Sequence, residues 1–180
     1  MTVAPPGHGF TLSIQDYDLF GYPVLSYPRS TVTGMASWRE IEKDAAEFAA
    51  KVKARFDAGT NKTIATVRRD GSPRISGSEA KFEDGELTFG MMGGSVKLLD
   101  VRRDPRIAMH SPTLEPPADH PESWPGDAKV AGFAVETAPG SGSFRMDIAE
   151  VVLTYVGTPA DHLVIETWHE GLGYRRRTRT

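Results

Sequence analysis

The sequence predicts a mostly β protein, an antiparallel β-barrel with few helices. Two Asp-Gly pairs, Asp70-Gly71 and Asp84-Gly85, separate short runs rich in β-branched and aromatic residues, which is typical of β-hairpins. Two longer runs of alternating character follow after residue 128, and a helical period occurs only near residues 37–59 and 95–104. Successive hairpins with few helices between them favour a sheet that closes on itself.

The first regular element is a helix that begins at Ser37. Ser37 and Glu40 have the spacing of a capping box, in which each residue pairs with the backbone amide of the other. Gly59 stands where a left-handed residue ends a helix. Apolar residues between them recur at steps of three or four and form one stripe: Ile41, Ala45, Phe48, Val52 and Phe56. We expect this stripe to pack on the core or an interface.

The strands follow in chain order. Three of them form a meander through the Asp-Gly turns, and a fourth follows Asp104-Pro105, which ends a short helix. A proline-rich loop covers residues 111–127, and its length is typical of a lid or a contact segment. The predicted strands are Thr63–Arg68, Pro73–Phe82, Leu87–Phe89, Arg106–His110, Lys129–Val135, Phe144–Val156 and, last, Leu163–Trp168.

A glycine-rich loop joins the third strand to the short helix, with the sequence Met91-Met92-Gly93-Gly94-Ser95-Val96-Lys97. Glycines let backbone amides point into one concavity, and the helix N-terminus adds partial positive charge. Ser95 and Lys97 supply a hydroxyl and a cation, so the segment predicts a phosphate cradle. A tight turn, with Ser95 as an ordinary N-cap and Lys97 as a solvated side chain, explains the same residues. The Walker spacing is absent.

Residue composition divides the chain into three parts. Residues 1–34 hold many prolines and glycines and predict an irregular arm. Residues 35–172 form the predicted barrel domain, and residues 173–180 form a basic tail. The arginines of this tail are consistent with three roles: a solvated end, a clamp on a substrate phosphate, or a contact with the acidic tail of a deazaflavin coenzyme.

Composition excludes several classes of function. The 180 residues contain no cysteine, so disulfides and thiolate chemistry are excluded. The net charge of −3 argues against nucleic-acid binding, and no apolar run is long enough to span a membrane. The start of the chain lacks the pattern of a signal peptide, and we expect a cytoplasmic protein. The five histidines are scattered without metal-ligand spacing, so no metal site is predicted.

The order of segments along the chain resembles a known family, most specifically over the run from Asp70 to Ala108. Three segments carry the similarity: Thr-Ile-Ala-Thr-Val-Arg-Arg-Asp-Gly-Ser-Pro-Arg, then Asp-Gly-Glu-Leu-Thr-Phe, then Gly-Ser-Val-Lys-Leu-Leu-Asp-Val-Arg-Arg-Asp-Pro. In this order they resemble the pyridoxamine 5'-phosphate oxidase-like flavin-binding split barrels. This family includes flavin- and deazaflavin-dependent reductases. The resemblance covers about residues 37–168. It implies an FMN-binding antiparallel split β-barrel, a homodimer with a flavin-type cofactor in a groove between the subunits.

The resemblance also implies which residues hold the cofactor. The ribityl phosphate would lie at Gly94, Ser95 and Lys97. Ile75, Ser76, Gly77 and Ser78 would lie along the isoalloxazine ring, with Met91 and Met92 facing it. Val96 departs from the pattern, because the vitamin B6 oxidases have an arginine there. The arginine-bearing substrate motif is also missing near the C-terminus, where Trp168-His169-Glu170-Gly171 stands, so oxidation of pyridoxamine phosphate is not expected.

These features favour an oxidoreductase that uses FMN, or alternatively a deazaflavin coenzyme, on a small organic substrate. The coenzyme would carry the redox chemistry, and the protein would bind and orient it. A non-enzymatic flavin- or haem-binding protein for storage, sensing or scavenging is the rival hypothesis. A cofactor-free structural dimer is a third, which leaves the glycine-rich loop unexplained. No residue is named as a general acid or base; His110, at a strand end, either faces the cofactor or is a satisfied edge histidine.

Overall fold

The structure is a computed structural model that describes residues 35–180. The irregular arm expected over residues 1–34 lies outside the described residues. The helices are α1 (Trp38–Asp44), α2 (Ala46–Asp57) and α3 (Val96–Arg103), with a single 3-10 turn at Pro121–Ser123. The strands are β1 (Asn61–Val67), β2 (Pro73–Glu83), β3 (Glu86–Gly90), β4 (Arg106–His110), β5 (Asp127–Glu136), β6 (Ser143–Val156), β7 (Leu163–His169) and β8 (Gly173–Arg179).

The strands form one antiparallel sheet that closes into a barrel. The strand order is β3-β2-β1-β4-β5-β6-β7-β8, and a further pairing joins β3 to β6. Six strands therefore make the closed barrel, and β7 and β8 extend the sheet beyond β6. The mainly β, antiparallel barrel that the sequence predicts is confirmed, and both ends of every predicted strand lie within two residues of the expected position.

The hairpin turns follow from their Asp-Gly pairs. Asp84 and Gly85 have φ values of 53° and 80°, and Gly71 has φ 87°. These left-handed conformations match the twist of the flanking strands, and Gly adopts them without strain. The β1–β2 and β2–β3 pairings are both antiparallel, so the predicted meander is confirmed.

The N-terminal helix differs from its prediction, because it is divided at Ala45. Ala45 has φ −146° and ψ 65°, and neither glycine nor proline marks the break. The capping box at Ser37 is present, with the Ser37 amide donating to the Glu40 carboxylate at 2.7 Å. Tertiary contacts explain the division: the Arg39 amide donates to the Gly85 carbonyl oxygen, which holds α1 at the β2–β3 turn. The apolar stripe still packs inward on both helices.

The C-terminal residues are the second correction. The sequence predicts a basic tail over residues 173–180, whereas Gly173–Arg179 forms β8 and pairs with β7 along its whole length. Almost all of its side chains are exposed, so the strand has no apolar alternation to reveal it. Backbone pairing with the free edge of β7 and the packing of the Tyr174 ring on Phe48, 5.5 Å between centroids, supply the order instead.

The core combines the barrel interior with the inner faces of the helices. Ile64, Met109, Val130, Met146 and Ile148 are buried between the strands, and Trp38, Ile41, Val52 and Phe56 cover them from α1 and α2. Gly132 is required by close packing of β5 on β6, since a Cβ there would lie 2.1 Å from the Asp147 carbonyl oxygen. Within residues 35–180, no helix is long and apolar enough to cross a bilayer.

Candidate functional site

The glycine-rich loop leads from β3 into α3 as the sequence predicts. β3 ends at Gly90, and Ser95 is the N-cap of α3 with φ −67° and ψ 143°. Gly94 has φ 77°, a left-handed conformation that favours glycine. A Cβ at Gly93 or at Gly94 would meet no atom within 4 Å, so the loop presents an open surface in front of the helix N-terminus.

The hydroxyl of Ser95 distinguishes the two interpretations of this loop. An ordinary N-cap side chain accepts a hydrogen bond from an amide of the first helical turn. Ser95 makes no such bond, and its Oγ is buried without any hydrogen-bond partner among the described residues. A buried hydroxyl without a partner costs about 1–3 kcal/mol. The side chain therefore does not cap the helix as an ordinary N-cap does, and it would meet a ligand in the open loop only after rotation about its Cα–Cβ bond.

Lys97 is also more than a solvated side chain. Its Nζ donates to the carbonyl oxygen of Gly77 at 2.5 Å, which joins α3 to β2. An ammonium group has three N–H donors, so two remain for another acceptor. Sequence positions twenty apart are thus brought together, and Gly77, Ser95 and Lys97 form one group of neighbouring residues. We call Gly93–Lys97 with the Gly77 carbonyl the phosphate cradle.

The barrel is split beside this cradle. Residues 73–79 of β2 pair with β1, but pairing of β2 with β3 covers only Ala80–Glu83. The opposite edge of residues 73–79 therefore has no paired strand among the described residues. A Cβ at Gly77 would meet nothing within 4 Å, so a planar group can approach the backbone there.

The remaining predicted site residues lie on two faces of the chain. Ile75 and Gly77 point outward, and Ile75 is 74% exposed. Ser76 and Ser78 share the opposite face, as the alternation predicts, and the buried Oγ of Ser78 has no partner among the described residues. Met92 is 82% exposed, whereas Met91 is buried in the core. Ile75, Gly77 and Met92 are therefore accessible to a large ligand, and the side chains of Ser78 and Met91 are not.

Beside the cradle lies a second depression, which we call the basic cleft. It has a volume of about 770 Å³ and lies between α3 and the β1–β2 hairpin. Its lining residues are Arg68, Arg69, Asp70, Arg74, Val96, Leu99, Asp100 and Arg103. Val96 takes the place of the arginine that the sequence resemblance implies, and Arg74 supplies a cation to the same cleft. Sequence reasoning missed Arg74, since only the packing of α3 on β2 brings it there.

Asp100 organises the floor of the basic cleft. Its buried carboxylate accepts from Arg74 Nε at 2.6 Å, from Arg103 Nη2 at 3.2 Å and from Thr66 Oγ1 at 3.2 Å. Burial alone would raise the pKa of Asp100, but the hydrogen bonds from Arg74 and Arg103 hold that pKa below its usual range. The aspartate stays ionised and orients both guanidinium groups.

A separate depression, of about 710 Å³, lies near the other end of β2 and β3. Its buried Lys62 donates from Nζ to the Gly59 and Thr60 carbonyl oxygens at 2.8 and 3.1 Å. Desolvation lowers the pKa of Lys62. These contacts close the turn between α2 and β1, which gives the lysine a structural role that no sequence pattern indicated.

His110 is held by its own neighbours. Its Nδ1 lies 2.7 Å from the Ser111 carbonyl oxygen, and its Nε2 lies 3.5 Å from Asp127 Oδ2. The side chain lies on the outer face of the sheet, two strands from Gly77, because Gly77 pairs with Thr63 and Thr63 pairs with His110. The prediction of a satisfied edge histidine fits these contacts.

Comparison with known proteins identifies the fold. The sequence matches no protein-family model and no curated protein. A solved pyridoxamine 5'-phosphate oxidase-related, FMN-binding protein from Nostoc punctiforme has a TM-score of 0.53 and 9% identity, over 76% of this chain and 96% of that chain. The chain therefore has the fold of the FMN-binding split β-barrels, as the resemblance implies.

Two further solved structures have lower similarity. A heme-binding protein from Mycobacterium smegmatis has a TM-score of 0.44 and 14% identity, over 72% of this chain and 87% of that chain. An F420 reductase has a TM-score of 0.41 and 15% identity, over 54% of this chain and 92% of that chain.

Proposed function

We propose that this chain is an oxidoreductase that binds a flavin-type coenzyme, FMN or alternatively a deazaflavin coenzyme, at the phosphate cradle. The buried Oγ of Ser95, which has no partner among the described residues, is the single observation that carries the proposal. A phosphate oxygen is a strong acceptor and would satisfy this hydroxyl once the Ser95 side chain turned toward the open loop. The coenzyme supplies two-electron chemistry when bound, and the protein binds and orients it.

The cradle fits a phosphate group in charge as well as in shape. Lys97 contributes an ammonium with two remaining N–H donors, and the first amides of α3 face the open side of the loop. Gly94 allows the loop to turn tightly at this point. The Ser95 hydroxyl, the Lys97 ammonium and the first amides of α3 are the three kinds of donor that would bind a phosphate dianion.

The split edge of β2 fits the ring of the coenzyme. Gly77 leaves room for a flat ring beside the backbone, and the exposed Ile75 and Met92 offer apolar contact on either side. Lys97 connects this edge to the cradle through the Gly77 carbonyl. A single ligand with a phosphate at one end and a ring at the other would therefore span both features.

We further propose a homodimer with the coenzyme between the subunits. Four large apolar side chains around the site are more than half exposed: Ile75, Met92, Val96 and Leu99. Neighbouring exposed apolar residues of this kind mark interaction surfaces. A second copy of the chain would cover them and enclose the coenzyme.

We also propose that the protein acts in the cytoplasm. The reducing conditions of that compartment suit a chain without cysteine.

A non-enzymatic binding protein is the second candidate, and one observation favours it. The accessible residues along the split edge, Ile75, Gly77 and Met92, carry no titratable group. A coenzyme-binding protein for storage or sensing needs none, whereas proton transfer in an enzyme then depends on the substrate or water.

Titration of the purified protein with FMN, riboflavin and haemin, followed by absorbance and fluorescence, tests the proposal. We expect FMN to bind more tightly than riboflavin, because only FMN has the phosphate. Lys97→Ala should weaken FMN binding by about 10- to 100-fold, the value of a charged hydrogen bond, and leave riboflavin binding unchanged. Lys53→Ala, an exposed lysine paired with Asp57, is the matched control.

Two results would contradict the proposal. Equal affinity for FMN and riboflavin would exclude the cradle as a phosphate site, and tighter binding of haemin than of FMN would favour the rival class. Reduction of the bound coenzyme by NAD(P)H or by a reduced deazaflavin, followed by reoxidation with organic acceptors under anaerobic conditions, separates an enzyme from a storage protein. A sedimentation analysis that finds only monomers would contradict a coenzyme site between two subunits.

A further inference from the structure

The basic cleft carries more positive charge than one phosphate at the cradle requires. Its lining contains four arginines and two aspartates, a surplus of two positive charges that does not include Lys97. The cleft is open to solvent and lies on the side of α3 that faces the β1–β2 hairpin. A negatively charged ligand would neutralise this surplus.

Two of the four arginines are already paired, and two are not. Arg74 and Arg103 both bind Asp100. Arg68 makes only a 3.4 Å contact with Ser72 Oγ, and Arg69 has no ion pair or hydrogen bond within residues 35–180. The second acid, Asp70, accepts from the amide and hydroxyl of Ser72, which holds it within the turn. Neither Arg68 nor Arg69 forms a close ion pair within residues 35–180, although the charge of Arg68 acts on the nearby Asp70 carboxylate and helps to lower its pKa.

The cleft continues directly from the cradle. α3 runs alongside the hairpin, since Lys97 contacts the Gly77 carbonyl, Asp100 contacts Arg74, and Arg103 contacts the Val67 carbonyl. Six residues separate Lys97 from Arg103, which corresponds to about 9 Å along the helix axis. The arginines at the far end of the basic cleft therefore lie about two helical turns from the cradle.

We propose that the basic cleft is a second anion-binding subsite, in which Arg68 and Arg69 bind a phosphate-type group beside the one at the cradle. The inference rests on the proposed function, because it uses the cradle as the first anchor. Two sources could supply the second group: a coenzyme with two phosphates, such as FAD, or a separate phosphorylated substrate. Val96 and Leu99, each more than half exposed, form an apolar wall that suits the organic part of either ligand.

Parallel titrations separate these sources. FMN and FAD are titrated into the protein, and inorganic pyrophosphate is titrated into the protein with and without bound FMN. The test variant is the double substitution Arg68→Ala and Arg69→Ala, which removes two exposed side chains of a turn and leaves the core intact. Arg175→Ala, an exposed arginine on β8, removes a guanidinium far along the sheet and serves as the control.

We expect the second phosphate to contribute about tenfold in affinity, because charged hydrogen bonds at an exposed site are partly screened by salt. A coenzyme source predicts that FAD binds about tenfold more tightly than FMN and that the double variant removes this difference while FMN affinity stays the same. A substrate source predicts that pyrophosphate binds the FMN-loaded protein and that the double variant abolishes this binding.

The subsite is excluded if FAD and FMN bind equally and pyrophosphate does not bind, or if Arg175→Ala weakens binding as much as the double variant does. Failure of the cradle has a different signature. Flavins would then bind neither the natural protein nor the double variant, while pyrophosphate binding to the flavin-free protein still reports on Arg68 and Arg69.

Discussion

The phosphate cradle and the buried ion cluster around Glu166 use polar groups in opposite ways. At the cradle, Ser95 Oγ has no partner among the described residues and Lys97 has donors to spare. The carboxylate of Glu166 is almost completely buried and accepts from Lys51, Tyr155 and Tyr174 at 3.0, 2.6 and 3.2 Å. We call Glu166 with these three donors the Glu166 clamp.

The difference separates polar groups that are satisfied within the fold from a polar group that is left for the proposed ligand. The Glu166 clamp joins α2, β6, β7 and β8, and each of its members has a protein partner. A satisfied buried network makes a structure rigid, whereas an unsatisfied hydroxyl costs stability until something binds it. Substitutions in the clamp should therefore change stability, and substitutions at the cradle should change affinity.

The largest effect is expected from Glu166→Ala. The substitution removes the common acceptor of three donors and leaves Tyr155 Oη without its 2.6 Å partner. Breaking a buried pair on one side typically costs about 3–5 kcal/mol, and the half-exposed Lys51 places this case near the lower end. Denaturant unfolding should show the loss, while the folded fraction binds FMN with unchanged affinity. An altered FMN affinity would mean that the two regions are not independent.

The pH dependence of stability checks the same cluster. Burial opposes ionisation of Glu166, but the hydrogen bonds from Tyr155 and Lys51 hold its pKa below the usual value of 4.5. Because the folded pKa lies below the unfolded one, the stabilisation is present above about pH 4.5 and is lost as the pH falls through the folded value. The free energy of unfolding of the natural protein should therefore exceed that of Glu166→Gln by less as the pH falls. A difference between the two proteins that is constant from pH 7 to pH 3 would contradict an ionised Glu166 in the clamp.

Two matched glycine substitutions test the same comparison, with expected effects of intermediate size. A Cβ at Gly132 would lie 2.1 Å from the Asp147 carbonyl oxygen, whereas a Cβ at Gly77 would meet nothing within 4 Å. Gly132→Ala should destabilise the fold by about 1–3 kcal/mol through overpacking. Gly77→Val should fold normally and weaken flavin binding, because its side chain occupies the space for the ring. Thermal unfolding and FMN titration of both variants decide the matter; normal FMN binding by Gly77→Val would exclude the ring from this face.

The smallest effect on stability, and the one most specific to a ligand site, is expected from Ser95→Ala. Removing a hydroxyl that has no partner should leave the flavin-free protein equally stable or up to about 1 kcal/mol more stable. The same substitution should weaken FMN binding, because the phosphate loses a donor. Unfolding measured with and without FMN gives both quantities from one sample. Destabilisation of the flavin-free protein would restore the ordinary N-cap interpretation.

Much of the barrel could be predicted because its signals are local. Asp70-Gly71 and Asp84-Gly85 favour left-handed turns by their own conformational preferences, and the alternating runs between them need no knowledge of distant contacts. β8 and the break at Ala45 could not be predicted in this way. β8 depends on the free edge of β7, and α1 is held through Arg39 by the Gly85 carbonyl, 46 residues further along the chain.

The candidate site shows the same division. The glycine-rich loop, Ser95 and Lys97 are recognisable from residue types at short spacing. Arg74 was missed because its place in the basic cleft depends on an ion pair with Asp100, 26 residues away. The sequence likewise does not show that Met92 is exposed and Met91 buried, because the two neighbouring residues are of the same type.

The sequence by itself determined the antiparallel strands, their hairpin turns and the loop that presents Ser95 and Lys97, since these follow from backbone preferences over a few residues. Only the tertiary structure decided that the Ser95 hydroxyl has no partner, that Lys97 binds β2 at the split of the barrel, and that Arg68 and Arg69 overhang a cleft beside α3. The physical reason is that satisfaction and burial are properties of all the atoms around a group, and closure of the barrel brings those atoms from distant parts of the chain.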